Sequence, residues 1–111
     1  MARQPKALDY TSGTISDSAV TILGMGSALV TTIPTGARSF VGTIEEAAIR
    51  SRGDGTSPTT SEGQLLSNGD VVYLGESEFS SMEFIRDTST DAKLRGHFYN
   101  LEVDVMLGKV S

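Results

Sequence analysis

"AKLRGHFYNLEVDVML", residues 92–107, settles the fold class. Over 92–99, Leu94, Gly96 and Phe98 alternate with Lys93, Arg95 and His97; over 101–107, Leu101, Val103, Val105 and Leu107 alternate with Glu102, Asp104 and Met106. A period of two sends one set to a core and the other to solvent, as in a half-buried β-strand. Working outward, "RSFVGTIEE" (38–46) sets Phe40, Gly42 and Ile44 against Val41, Thr43 and Glu45 in the same way. "AAIRSR" (47–52) continues extended, with Ile49 inward and Arg50 and Arg52 outward. The alanines and glutamates there are good helix formers, but Gly53-Asp54-Gly55 leaves too little length for a stable helix.

Turn signals punctuate the rest. "QLL" (64–66) runs into "SNGD" (67–70), where Asn-Gly predicts a tight hairpin turn, and "VVYLG" (71–75) follows as a strand. "MEFIR" (82–86) is the next strand, and "DTSTD" (87–91) reads as a turn whose side chains bond nearby amides. Nearer the start, "AVTIL" (19–23) and "SALVTTI" (27–33) read as two short strands broken at "GMG" and stopped by Pro34-Thr35-Gly36. Residues 1–17 show no sustained period and read as an extended arm, leaving 18–111 as one domain. Eight or nine short strands between regular turns predict a single all-β domain, a β-sandwich of jelly-roll or Ig-like form.

Composition agrees. Serine and threonine supply 26 of 111 residues and glycine 12, a bias toward strands and tight turns. The absence of cysteine excludes disulfides, thiolate metal sites and thiol nucleophiles. The net charge of −5, with residues 1–38 at +1 and 39–111 at −6, argues against nucleic-acid binding. No apolar run approaches the roughly 20 residues of a membrane span and no signal peptide is evident, so a soluble protein made in the cytoplasm is expected.

Catalytic signatures are sparse. His97 is the only histidine and sits in an alternating strand, which reads as a structural position rather than a catalytic one. No Gly-x-Ser-x-Gly elbow occurs, and "GMGS" (24–27) lacks the following helix that a phosphate loop needs. "DTSTD" (87–91) lacks the order of a calcium loop. Neither enzyme activity, nor a cofactor, nor a metal is expected. Arg52-Gly53-Asp54 spells an adhesion tripeptide, yet Arg52 is an outward strand position and Gly53-Asp54-Gly55 is a turn.

One series over Ile49–Tyr99 is more specific: Arg50-Ser51-Arg52, Asp54-Gly55-Thr56, Pro58-Thr59, Gly63, Gly69-Asp70, "FIR" (84–86) and "FY" (98–99). It resembles the capsid decoration, or staple, proteins of epsilon-fifteen-type short-tailed bacteriophages. The resemblance covers about half the chain. It implies a jelly-roll-like sandwich on the outside of a virion, synthesised in the host cytoplasm, with the major capsid protein and a second copy of itself as partners, a homodimer rather than a trimer. The alternative is a sandwich module recognising a receptor or carbohydrate; the lack of Trp, with seven Phe or Tyr in all, speaks against sugar stacking. Candidate partner contacts are Arg3, Lys6 and Tyr10 in the arm, and Arg50, Arg52 and Asp54 around the turn.

Overall fold

The computed structural model describes residues 5–103. Seven strands form in chain order: β1 (Ala7–Ile15), β2 (Ser39–Glu45), β3 (Ile49–Arg52), β4 (Gln64–Leu66), β5 (Val71–Gly75), β6 (Glu83–Arg86) and β7 (Ala92–Tyr99). They make two antiparallel sheets, one ordered β1-β7-β2-β5 and the other β4-β3-β6. This is the strand order of a jelly roll in which the strand after β1 is reduced to a single bridge, Val20 to Phe84. Among the described residues, no helix is long and apolar enough to cross a membrane.

The inner faces follow the alternation read from the sequence. Phe40 and Ile44 from β2, Leu94 and Phe98 from β7, and Ile49 and Phe84 from the facing sheet are fully buried. Phe98 takes Phe40 and Phe79 edge-on at centroid distances of 5.2 and 5.3 Å. Edge-to-face contact sets the positive ring edge against the negative face, which adds to area burial. Gly42 and Gly96 stand opposite each other where the ring of Phe40 lies across the sheet. A Cβ on Gly96 would come within 2.2 Å of the Val41 carbonyl oxygen, so the close approach requires glycine.

Four expectations change. The arm over 1–17 gives way to strand β1 over Ala7–Ile15, paired with β7 along its length; residues 1–4 lie outside the described residues. Over 11–15 the core-facing residues are Thr11, Gly13 and Ile15, of which only Ile15 carries a large apolar side chain, so the period of two does not show in the sequence. "AVTIL" and "SALVTTI" are not strands: the chain forms a 3-10 turn at Ile22–Gly24 and touches the sheets at isolated bridges. It crosses from one sheet to the other, so it cannot run along either. The Asn68-Gly69 turn forms, with Gly69 at φ 97°, but it joins strands of different sheets and is a corner rather than a hairpin. Its Gly69 N–H bonds the Ile44 carbonyl at 2.7 Å. A second corner falls at Glu46, φ 77°, where the chain leaves β2 for β3. Residues 101 and 102 belong to no strand, and 104–107 of the alternating segment lie outside the described residues.

Candidate functional site

The outer face of the four-stranded sheet carries the candidate site. Register places Tyr10 of β1 beside His97 of β7, His97 beside Val41 of β2, and Val41 beside Tyr73 of β5. These four side chains form one row across every strand of the sheet, because residues in register on one face are neighbours. The rings of Tyr10 and His97 lie 5.2 Å apart and those of His97 and Tyr99 6.2 Å apart. Val71 extends the row at one corner; Tyr10 is 41% exposed and Val71 and Tyr73 each 45%. Tyr10, Val41, Val71, Tyr73 and His97 line a shallow depression of about 540 Å³, with Glu45 and Arg95 at its charged end. An apolar face at this exposure is the kind of patch that marks a docking surface.

Charge is held to one end of this face. The Arg95 guanidinium bonds Glu45 and lies 3.6 Å from Glu46, and the Glu45 contact holds its pKa above the ordinary arginine value. The Lys93 ammonium donates to the Thr14 hydroxyl at 2.6 Å. Arg95 is thus paired with carboxylates and Lys93 with a hydroxyl, and the row beside them offers apolar and aromatic contact. Among the described residues, no three His, Asp or Glu side chains gather as a metal-binding group.

The six residues expected from sequence do not converge. Arg3 lies outside the described residues. Lys6 is exposed, its backbone paired with Asn100. Tyr10 belongs to the outer row, though as a strand residue rather than part of an arm. Arg50 is a strut: its Nε donates to Asp87 at 2.8 Å and its Nη1 to the Gly63 carbonyl at 3.1 Å, tying β3 to two loops. Arg52 and Asp54 hold each other through two parallel bonds, Nε to Oδ1 at 2.8 Å and Nη2 to Oδ2 at 3.0 Å. That fork raises the pKa of Arg52 and lowers that of Asp54. The Thr56 N–H adds a bond to Asp54 Oδ1. The two ends of the Arg-Gly-Asp string therefore face each other, not outward as a pair free to reach a receptor.

Val41, Val71, Tyr73 and His97 were not expected at the site. Val41 and His97 are outward positions of strands legible in sequence, but only register shows that they meet Tyr73 and Tyr10 in one row. No family model, no curated protein and no solved structure matches the chain.

Proposed function

We propose that this chain is a structural protein of a phage virion, a decoration protein that binds the outside of the capsid and stabilises contacts between capsomers without catalysis. The observation that carries this reading is the apolar and aromatic row Tyr10, His97, Val41 and Tyr73, which spans the sheet while the neighbouring Arg95 is paired with Glu45. The resemblance of residues 49–99 to the decoration proteins of short-tailed phages supports it, as does a small sandwich able to act as a rigid adaptor. The major capsid protein and a second copy of the chain are the partners, at the outer capsid surface; nucleic acid, membrane and cofactor have no part in it. The alternative, a sandwich module taking a receptor or carbohydrate through residues 51–57, has less support because Arg52 and Asp54 are paired with each other.

Co-sedimentation with empty shells built from the major capsid protein of the same genome tests the reading. Saturable binding at a fixed ratio, with a raised shell melting temperature, is the expected result. The double substitution Tyr10→Ser, Tyr73→Thr should weaken binding about tenfold or more, since exposed aromatics dominate such contacts, while leaving the melting temperature of the free chain nearly unchanged. No binding across a range of salt would overturn it.

A further inference from the structure

The free edge of β5 is a second surface, distinct from the sheet face. Ile44 donates to the Asp70 carbonyl and accepts from Gly69, which fixes the phase of the β2–β5 ladder. By antiparallel alternation, the backbone groups of Val72 and Leu74 point into the sheet, and those of Val71 and Tyr73 point away from it. Among the described residues nothing pairs with those outward N–H and C=O groups. Of the usual edge protections, "VVYLG" carries neither Lys nor Pro nor an inward charge.

Two features define what fits there. Between β5 and β4 a narrow cleft of about 130 Å³ opens onto Leu66, Val72, Met82 and Phe84. A strand added beside β5 would point alternate side chains into this cleft, so its inward residues are apolar. At the far end of β5 a hollow of about 420 Å³ is lined by Tyr73, Glu76, Glu78 and Glu102, with Arg38 as the one cation against three carboxylates. Arg38 is engaged by Glu76 at 3.0 Å and Glu102 at 2.8 Å, which leaves that end acidic. The near end carries Asp70. Self-pairing of two copies in antiparallel fashion about Tyr73 would set these acidic ends against each other at both corners.

We propose that the β5 edge accepts an extended segment of another protein by strand addition, with apolar residues at alternate positions and a lysine or arginine placed against Glu76, Glu78 and Glu102. Main-chain bonds give such a complex its affinity, and the cleft and the acidic end give it selectivity. The inference stands apart from the capsid reading, since any protein with such a segment would satisfy it.

The test uses the full chain and a synthetic hexapeptide of alternating valine and threonine with lysine at its amino end, followed by backbone NMR. Saturable shifts at Val71–Gly75 and slowed exchange of the Val71 and Tyr73 amides are expected. Replacing the peptide lysine by glutamate should weaken binding about tenfold, the size of a charge pair turned repulsive. Tyr73→Pro removes an outward N–H that the fold does not use, so it should abolish binding without unfolding the chain. Tyr73→Thr keeps that N–H and should bind within about threefold of the original. Absence of any shift at millimolar peptide, or equal binding by the Tyr73→Pro chain, would overturn the proposal. So would concentration-dependent dimerisation that Tyr73→Pro abolishes, which would assign the edge to a second copy.

Discussion

The two open sides of the sandwich are treated differently by the chain. On the side of β1 and β6, residues 16–30 are laid across the gap. Val20 exchanges two backbone bonds with Phe84, Gly26 exchanges two with Thr14, the Leu29 N–H bonds the Ser12 carbonyl, and the Arg86 N–H bonds that of Ser16. Ile22 is fully buried, and Met25 packs against Gly13 so closely that a Cβ there would lie 2.5 Å from the Met25 Cβ. On the side of β4 and β5 nothing among the described residues crosses; Leu65 and Val71 stand 48% and 45% exposed and the cleft between the strands stays open. Among the described residues, fifteen close one side while the other presents unpaired backbone, which is the edge the strand-addition proposal concerns.

The largest expected difference between the sides comes from removing apolar bulk. Ile22→Ala should cost about 2–5 kcal/mol in chemical unfolding, since it deletes a buried side chain and leaves a cavity under the closing segment. Leu65→Ala on the open side should cost under about 0.5 kcal/mol, being an exposed position. Equal costs would mean that the closing segment is not part of the cooperative core. A smaller effect on the sealed side comes from Thr11, whose buried hydroxyl accepts the Val30 N–H at 3.1 Å. Thr11→Val keeps the shape but strands that N–H, and should cost about 1–3 kcal/mol with the denaturant slope unchanged.

The same contrast explains what was legible in the sequence. Strands β2 and β7 could be read because their two faces differ in kind: Phe40 and Ile44 against Val41 and Glu45, Leu94 and Phe98 against Lys93 and Arg95. Strand β1 could not, because its core face includes a threonine and a glycine, made interior only by Val30 and Met25 from elsewhere in the chain. The apolar content of 19–33 reports burial in part, since Ile22, Met25 and Val30 are in the core while Leu29 and Ile33 are exposed, and burial does not reveal where backbone bonds go. There they go to two different sheets. For the candidate site, the outward sets of β2 and β7 are readable, but β1 reads as an arm and the strand order is not written in the sequence, so Tyr10 stands among the expected contacts without its neighbours His97, Val41 and Tyr73.

The smallest expected effect lies in the loop beyond β3. Asp54 accepts two bonds from Arg52, and this contact, with the Thr56 N–H, holds its pKa below the ordinary aspartate value of about 3.9. A carboxyl with a lowered folded pKa contributes stability that is present above its unfolded pKa and is lost as pH falls through the folded one. Both groups are solvent-exposed, so the contribution is small and salt-sensitive. Arg52, with its pKa raised by the same fork, stays charged throughout. A carboxyl NMR titration should therefore place the Asp54 midpoint below that of an ordinary aspartate, and Arg52→Gln should move it back up without changing the unfolding midpoint at neutral pH. A low midpoint keeps the Arg-Gly-Asp string closed on itself and leaves recognition to the sheet face and the β5 edge. An ordinary midpoint in the unaltered chain would mean that the fork is open in solution, and the loop would then compete with the bare edge as the place where a partner binds.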